Sequence, residues 1–366
     1  MPTTIPLTRT TRPKAKPRDE ELSFGKFFTD HMFLMEATAD QGWHNPRVVP
    51  YGPLSLDPSA AVLHYSQEIF EGLKAYRSLR DTSLRDTSSR DTILLFRPDK
   101  NAARLNRSAA RMCMPAVDEA MFLDAIKTVV ATDRDWVPRA PGTSLYIRPA
   151  MIATEPFLGV RPAQAYSFFI ILCPVGAYYA EGFNPVKILV EDHYVRAVKG
   201  GTGDAKTGGN YASSLASAEA AHHKGYSQVL WLDGVERKYI EEVGSMNIAF
   251  VIDNEFVTPA LSGSILDGVT RDTTKQLVKD WGIRVVERPI TIDEVLTASR
   301  NGRLQEAFGM GTAAVISPVS ELAYKEEKIT LGNGKVGPLA QRLFDEISDI
   351  QRGLKPDPHG WVMEIR

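Results

Sequence analysis

Two segments in the second half of the chain have the residue pattern of antiparallel β-hairpins. In "QVLWLDGVERKYIEEV" two strand-forming runs flank Asp233-Gly234, and in "NIAFVIDNEFVTP" two such runs flank Asp253-Asn254. Asp, Asn and Gly accept the left-handed backbone conformations that two-residue turns require, so both segments predict tight hairpins. Because hairpins alternate with helical segments along the chain, the sequence predicts an α+β fold of mixed helices and sheets.

The rest of the chain supplies elements for two halves of such a fold. Helical patterns occupy residues 99–114, 118–136 and 211–224, another helix runs from Val269 to Gly282, and strand patterns occupy residues 143–153, 165–175 and 186–192. The stretch "GAYYAEGFNP" has glycine and proline near its ends, as is typical of a connector. We predict a disordered N-terminal tail, a small domain, an interdomain loop and a large domain over residues 1–22, 23–175, 176–186 and 187–366.

A charged repeat interrupts the small domain. In "SLRDTSLRDTSSRDT" the triplet Arg-Asp-Thr occurs at Arg80, Arg85 and Arg90. The repeat offers almost no apolar side chains to a core, so we expect residues 78–92 to form a solvated loop at a hairpin tip. Such a loop contributes to neither stability nor catalysis.

The composition excludes several classes of function. A formal net charge of −2 gives no electrostatic basis for binding nucleic acid or an anionic membrane. No run approaches the roughly 18 apolar residues that span a membrane. The two cysteines, Cys113 and Cys173, cannot build a disulfide framework or a zinc cluster. We therefore expect no metal site and a reducing compartment, the cytoplasm.

The segment "GGTGDAKTGGNYA" places one lysine, Lys206, among five glycines. A phosphate-binding P-loop reads G-x-x-x-x-G-K-[ST], but Ala205 replaces its second glycine and Gly208-Gly209 disfavour the helix that should follow. A helix begins more favourably at Asn210. Two interpretations remain. Either the lysine binds a cofactor covalently and the glycines let the backbone pass beneath a flat ring, or it is a solvated lysine in an ordinary loop.

Three further segments fit a phosphorylated cofactor with an aromatic ring, and the first two also have ordinary explanations. Glu241 and Glu242 are adjacent on a predicted strand, so only one of them faces inward. The inward carboxylate could hold a proton on a pyridine nitrogen. The alternative is that both carboxylates stay in solvent at a sheet edge. The helix after Gly268 has small residues at its N-terminus, which suits a phosphate. Ordinary N-capping by Thr270 would explain the same residues. The turn "FGMGTAAV" could bring its backbone close to an anion.

Four segments in order, "GDAKTGGNYA", "EEVGSMNIAF", "GVTRDT" and "GMGTAA", resemble the branched-chain amino acid aminotransferases. These are pyridoxal 5′-phosphate enzymes of fold type IV. Segments such as "SFGKFFTDHMF" and "LFRPDKNAARLNRSAARMCMP" extend the resemblance from about Ser23 to the C-terminus. It implies a small domain rich in antiparallel sheet beside a larger pseudo-barrel domain that binds the cofactor. It also implies a homodimer that transfers the amino group of L-leucine, L-isoleucine or L-valine to 2-oxoglutarate by a ping-pong mechanism.

The resemblance also implies roles for individual residues. Lys206 is the implied catalytic residue, which binds the cofactor covalently and moves the proton between the substrate Cα and the cofactor C4′. Tyr211 and Glu242 are the implied partners of the ring oxygen and the ring nitrogen. The implied phosphate ligands are Arg104, Val269, Thr270 and Thr312, and Ser245 keeps the hydroxyl of a threonine common in the family. The implied substrate pocket consists of Phe70, Tyr65, Tyr146, Arg148, Val160, Tyr178, Thr312 and Ala313, with Val160 on a loop that reaches the partner subunit.

Several alternatives remain within and outside this superfamily. D-amino acid aminotransferase shares the lysine and the glutamate, but its glutamate leads into a serine-rich stretch where this chain has "VGSMN". Aminodeoxychorismate lyase shares the fold and catalyses an elimination. A non-enzymatic cofactor carrier would not need Tyr146 and Arg148. The chain departs from the family in the Arg-Asp-Thr repeat, and from its mammalian members in Ala314 and Ser317, which replace a CxxC pair and exclude thiol regulation there.

Overall fold

The computed structural model describes residues 5–80, 92–176 and 183–365. Most of the Arg-Asp-Thr repeat and the predicted pocket residue Tyr178 therefore lie outside the described residues. The chain divides into two units, one comprising Met1–Tyr178, Ala205–Gly208 and Asp349–Arg366, the other Tyr179–Asp204 and Gly209–Ser348. The domain borders of the sequence analysis stay a prediction. This division differs from them because it joins two later segments to the first unit.

The first unit is built on one antiparallel sheet of eight strands. Their order is β17-β5-β4-β6-β7-β1-β2, and β3 pairs with β6. These strands are β1 (His31–Thr38), β2 (Gly42–Pro50), β3 (Glu68–Phe70), β4 (Leu73–Arg77), β5 (Ile93–Phe96), β6 (Ser144–Ala153), β7 (Ala165–Val175) and β17 (Val362–Ile365). The predicted small domain rich in antiparallel sheet is confirmed.

Helices cover one part of this sheet. The first unit contains α1 (Ala61–Tyr65), α2 (Pro98–Arg111) and α3 (Glu119–Thr132). Helix α3 begins where the Asp118 carboxylate accepts the N–H of Met121 at 2.8 Å, which is an ordinary N-cap. It buries Phe122 against Phe168 of β7, with ring centroids 6.1 Å apart. The predicted helix over 118–136 ends early, because a short 3₁₀ turn follows at Arg134–Trp136.

The N-terminal residues differ from the predicted disordered tail. Ile5 is buried in the core of the first unit. The N–H of Val48 donates to Pro6 O at 2.8 Å, and the N–H of Thr8 donates to Val48 O at 2.9 Å. The N–H of Thr10 donates to Nε2 of His31 at 2.9 Å. Backbone pairing with β2 and burial of one apolar side chain thus order a segment whose composition resembles a tail.

The second unit is built on a sheet of nine strands that closes on itself. Their order is β10-β9-β8-β15-β14-β11-β12-β13, β16 pairs with β15, and β10 also pairs with β11. These strands are β8 (Val186–Glu191), β9 (Gln228–Leu232), β10 (Ile240–Val243), β11 (Met246–Ile252), β12 (Glu255–Pro259), β13 (Val285–Arg288), β14 (Leu304–Gly311), β15 (Val315–Tyr324) and β16 (Glu327–Thr330). The pairing of β10 with β11 closes the ring, so the predicted pseudo-barrel is confirmed.

One of the two predicted hairpin turns is present. Ile252 pairs directly with Glu255, and Asp253 and Asn254 have φ angles of 53° and 62°. These are the left-handed conformations of a two-residue turn, so the prediction for "NIAFVIDNEFVTP" is confirmed.

The other predicted turn is wrong. Leu232 of β9 pairs with Ile240 of β10, so Asp233-Gly234 opens a longer loop instead of a two-residue turn. The Asp233 carboxylate organises this loop, because it accepts backbone N–H groups from four residues: Val235, Glu236, Lys238 and Tyr239. Burial raises the pKa of Asp233, but these backbone hydrogen bonds outweigh it and hold the pKa below its ordinary value.

The helices of the second unit pack around this sheet. They are α4 (Gly209–Ala212), α5 (Leu215–His223), α6 (Val269–Asp280), α7 (Ile292–Arg300) and α8 (Pro338–Gln351), whose last residues belong to the first unit. The predicted helix over 211–224 is interrupted between α4 and α5, where the Ser214 hydroxyl donates to Tyr211 O at 2.7 Å. A side-chain bond of this kind competes with the helical bond. In the part of the chain that the structure describes, no helix is long and apolar enough to cross a membrane.

Candidate active site

Lys206 lies in the first unit, and its backbone is fixed on both sides. Its N–H donates to Ser108 Oγ of α2 at 2.9 Å, and its carbonyl oxygen accepts the N–H of Phe70 at 3.0 Å. The Thr207 hydroxyl donates to Glu68 O at 2.7 Å. The ammonium of Lys206 lies 4.8 Å from the centre of the Phe70 ring. These hydrogen bonds hold the backbone of Lys206 against β3 and α2.

Close packing explains part of the glycine setting of Lys206. A Cβ added to Gly208 would lie 1.7 Å from Oε1 of Glu68, so any larger residue at this position would displace the Glu68 carboxyl group. Glu68 itself is half-buried, and burial raises its pKa while the charge of Arg148 lowers it. The glycine therefore lets this segment pass directly beside a carboxyl group on β3.

A buried glutamate that the sequence analysis did not identify lies next to this lysine. Glu71 is 0% exposed, and Arg104 donates to it twice, from Nε to Oε1 at 2.7 Å and from Nη2 to Oε2 at 2.8 Å. Asn101 donates to Oε2 at 2.7 Å. Burial raises the pKa of Glu71, but the charges of Arg104 and Lys206 and these hydrogen bonds hold it below its ordinary value. Arg104, predicted as a phosphate ligand, thus already uses two donors within the protein.

Three of the predicted substrate-pocket residues share one surface of the first unit. Tyr146 and Arg148 are two residues apart on β6, so they lie on the same face of the sheet. Nη2 of Arg148 donates to the Tyr146 hydroxyl at 3.1 Å, and the guanidinium lies 4.6 Å from the centre of the Phe70 ring. A Cβ on Gly72 would lie 2.0 Å from the Tyr146 hydroxyl oxygen, so any larger residue there would displace the Tyr146 side chain. Among the described residues, Arg148 Nε is buried without a hydrogen-bond partner.

The remaining predicted pocket residues of this unit lie at an exposed rim. The Tyr65 hydroxyl donates to the carbonyl oxygen of Leu158, which ties α1 to the loop that carries Val160. Val160 is 87% exposed. Phe24, which the sequence analysis did not single out, packs edge-on against Tyr146 with ring centroids 4.8 Å apart. No periodic pattern around Phe24 indicates this contact.

In the second unit both adjacent glutamates of β10 are buried, which corrects the expectation that only one faces inward. Glu241 is 6% exposed and Glu242 is 3% exposed. The register of β10 against β9 shifts between Ile240 and Val243. This β-bulge inserts one extra residue, so the strict alternation of side chains fails at this point. The explanation that both carboxylates stay in solvent is therefore excluded as well.

The two carboxyl groups have different partners. Glu242 accepts the backbone N–H of Leu266 at 2.7 Å, and Nη2 of Arg196 lies 3.4 Å from the same oxygen. Glu241 accepts the hydroxyl of Ser264. Arg196 and Ser264 lie on loops far from β10 in sequence, so no local pattern identifies them.

The other predicted cofactor residues of this unit lie at the start of a helix and at turns. Helix α6 has Gly268 as its N-cap, with no side-chain cap bond, so the explanation by Thr270 capping is wrong. Val269 and Thr270 are its first two residues. Ser245 is exposed in the turn between β10 and β11, and Tyr211 is partly buried in α4. The predicted anion-binding turn of Thr312 and Ala313 connects β14 and β15.

The turn between β14 and β15 is strained at its end. Gly311 pairs with Val315, which has a φ angle of 63°. A β-branched residue in this left-handed region costs on the order of 1–3 kcal/mol, and such strain concentrates at ligand-binding turns.

Residues 81–322 match the model of the family described as "Amino-transferase class IV". The chain belongs to this family. It is 56% identical to "Branched-chain-amino-acid aminotransferase 2" of Bacillus subtilis (strain 168), over 99% of this chain and 97% of that protein. The resemblance found in the sequence is thereby confirmed.

Solved structures agree with the fold. The branched-chain amino acid aminotransferase of Escherichia coli superposes with a TM-score of 0.75 at 27% identity, covering 92% of this chain and 99% of that chain. The branched-chain aminotransferase of the thermophilic archaeon Thermoproteus uzoniensis, solved with norvaline, superposes with a TM-score of 0.73 at 25% identity. That comparison covers 91% of this chain and 100% of the other. The fold of class IV aminotransferases is therefore shown for this chain.

Replacing Glu71 by glutamine tests the charge balance around Lys206. Glu71→Gln removes a buried negative charge that faces Arg104 and Lys206. Because removing one partner of a buried ion pair is strongly destabilising, we expect a loss of about 3 kcal/mol of unfolding free energy, measured by urea denaturation. Glu327→Gln is the matched control, since it breaks the exposed pair with Arg300. Equal losses in both variants would contradict a structural role for the Glu71 charge.

Proposed function

We propose that the protein is a branched-chain amino acid aminotransferase. It transfers the amino group of L-leucine, L-isoleucine or L-valine to 2-oxoglutarate and forms the branched 2-oxo acid and L-glutamate. The observation that carries this proposal is that Lys206 and Arg148 both lie against Phe70, with the lysine ammonium 4.8 Å and the guanidinium 4.6 Å from the ring centre. An amine for covalent chemistry and a cation for a second carboxylate thus share one aromatic surface.

The proposed cofactor is pyridoxal 5′-phosphate, and each unit has residues that fit it. The first unit offers the amine of Lys206, the group that a cofactor aldehyde requires. The second unit offers the buried carboxylate of Glu242 and the α6 N-terminus, which lacks a side-chain cap. A carboxylate suits a protonated ring nitrogen, and a helix N-terminus suits a phosphate. When bound, this cofactor supplies an electron sink for the electrons of the substrate Cα–H bond.

The roles that we propose for the cofactor residues follow from these groups. Lys206 Nζ would accept the proton from the substrate Cα and donate it to the cofactor C4′. Glu242 holds the proton on the ring nitrogen, and Tyr211 donates to the ring oxygen. Arg104 donates from Nε and Nη2 to Glu71, and we propose that it contributes to phosphate binding as well. The proposed phosphate-binding groups are Arg104, Val269, Thr270 and Thr312, with Ser245 beside them.

The proposed substrate pocket must accept an aliphatic side chain and then the γ-carboxylate of glutamate. A pocket of aromatic rings alone would leave that charge unpaired, which costs several kcal/mol. In the first unit the Phe70 and Tyr146 rings offer apolar surface, while the Tyr146 hydroxyl and the Arg148 guanidinium offer donors. One surface can therefore serve both substrates. Tyr65, Val160, Tyr178, Thr312 and Ala313 complete the proposed pocket.

We further propose that the protein is a homodimer in the cytoplasm. The loop that carries Val160 exposes three apolar side chains, with Phe157 at 41%, Leu158 at 59% and Val160 at 87%. Apolar groups in this concentration are typical of a surface that another chain covers.

A turnover assay with a defined set of amino donors tests the proposed activity. With 2-oxoglutarate as acceptor, we expect L-leucine, L-isoleucine and L-valine to yield L-glutamate and their 2-oxo acids. Turnover of D-alanine in their place would identify a D-amino acid aminotransferase. Release of pyruvate from aminodeoxychorismate would identify a lyase. Cofactor binding without any turnover would leave a carrier and contradict the proposal.

Replacing Arg148 by methionine tests the dual-substrate pocket. Arg148→Met keeps a long side chain but removes the cation proposed to receive the γ-carboxylate. Losing a charged hydrogen-bond partner costs about 1.5–3 kcal/mol, so the glutamate half-reaction should slow on the order of 10- to 100-fold. The leucine half-reaction should change far less. Single-turnover absorbance measurements follow the two half-reactions separately.

Arg107→Met is the matched control, because Arg107 is an exposed arginine on α2. It should affect neither half-reaction. Equal losses in both half-reactions of Arg148→Met would mean that Arg148 supports the pocket structurally or binds the α-carboxylate.

A further inference from the structure

Glu241 is a buried carboxyl group that the proposed reaction does not use. Its side chain is 6% exposed, and the Ser264 hydroxyl bonds to Oε1. Its other oxygen, Oε2, is buried and has no hydrogen-bond partner among the described residues. An ionised carboxylate in this position would have lost its hydration without compensation at one oxygen. The site therefore favours the protonated acid.

One guanidinium faces both carboxyl groups of the β10 bulge. Arg196 is buried, and its Nη2 lies 3.4 Å from Oε1 of Glu242. The same Nη2 donates to the carbonyl oxygen of Ser264 at 2.5 Å. Its charge also acts on Glu241, as do the negative charges of Glu242 on the same strand and Asp233 on the loop after β9.

The balance of charges decides which carboxyl group ionises. One positive charge cannot neutralise two adjacent carboxylates, so the proton goes to the carboxyl group that is less well stabilised as an anion. Glu242 has a backbone N–H and the guanidinium, whereas Glu241 has a hydroxyl and an unpaired oxygen. Burial raises the pKa of Glu241 and the charges of Glu242 and Asp233 add to this, while Ser264 and Arg196 oppose it.

We propose that Glu241 is a positioning residue that takes up a proton more readily than Glu242 and, while it is protonated, leaves Arg196 to pair with Glu242 alone. Ser264 links the two groups, because its hydroxyl bonds to Glu241 and its carbonyl oxygen accepts Nη2 of Arg196. This inference rests on the proposed function, in which Glu242 holds the ring-nitrogen proton. When Glu241 ionises as the pH rises, its charge attracts Arg196 and weakens the interaction of Arg196 with Glu242.

The pH dependence of melting of the cofactor-free protein tests this inference independently of activity. If folding raises the pKa of a carboxyl group, protonation of that group stabilises the folded protein fully below the unfolded glutamate pKa of about 4.3. This stabilisation is lost as the pH rises through the pKa of the group in the folded state. The glutamine of Glu241→Gln cannot ionise, so the variant does not lose this stabilisation as the pH rises. The melting temperature of Glu241→Gln minus that of the wild type should therefore increase between pH 5 and 9, by an amount on the order of 2 °C.

A control and a second variant make the outcome decisive. Glu326→Gln, at an exposed glutamate of the same unit, should show no such pH-dependent difference. Ser264→Ala removes a bond that favours the anion, so its melting temperature should fall more steeply with pH than that of the wild type. A difference for Glu241→Gln that stays constant would overturn the inference. A difference that decreases with pH would also overturn it, because Glu241 would then be a stabilising anion.

Cofactor binding gives a second measurement. The Kd for pyridoxal phosphate should increase between pH 6 and 9, and the increase should be larger in the wild type than in Glu241→Gln. An equal pH dependence in both proteins would contradict the link from Glu241 to Glu242. If neither protein binds the cofactor, the proposed function fails, while the melting measurements still decide whether Glu241 carries the proton.

Discussion

The pairing of β10 with β11 closes the sheet of the second unit, and the position of its functional groups depends on that closure. β10 is a short strand held by β9 on one side and β11 on the other. Its bulge buries Glu241 and Glu242 together, where a regular strand would separate them. On β11, Nδ2 of Asn247 donates to Leu266 O at 2.9 Å and so holds the segment that leads into α6. Without closure, the carboxylates and the helix end would not be fixed in one unit.

In the first unit, compensation of buried charges and backbone hydrogen bonds fix the position of the functional groups. Glu71 has lost all contact with solvent, and it remains an anion because Arg104, Asn101 and the charge of Lys206 compensate. The Lys206 segment gains its position from backbone hydrogen bonds to Phe70 and Ser108 rather than from its own residue preferences. The lysine is consequently presented by a rigid support. A catalytic amine needs this, because misplacement by about 1 Å lowers rates strongly.

Local features of the fold could be predicted from the sequence, and features that depend on distant residues could not. The turn at Asp253-Asn254 was predictable because the two residues themselves adopt its conformation. The loop after Asp233 was not, since its carboxylate binds backbone groups up to Tyr239 instead of closing a two-residue turn.

The same distinction applies to the candidate site. The roles predicted for Lys206, Glu242, Tyr146 and Arg148 came from the resemblance to the aminotransferase family, which a set of ordered motifs carries. Glu71 and its partner Arg104 are far apart in sequence, and only the packing of α2 against β3 and the segment after it brings them together. The bulge in β10 depends on pairing with β9, so the burial of both glutamates could not be predicted from the local sequence.

The proposed chemistry depends on one covalent bond, between Lys206 and the cofactor. Borohydride reduction of the protein with bound pyridoxal phosphate, followed by proteolysis and mass spectrometry, measures this directly. We expect one major phosphopyridoxyl-labelled peptide, modified at Lys206, and its loss in Lys206→Ala. Label on Lys199 instead, or unchanged labelling of Lys206→Ala, would show that Lys206 does not bind the cofactor covalently.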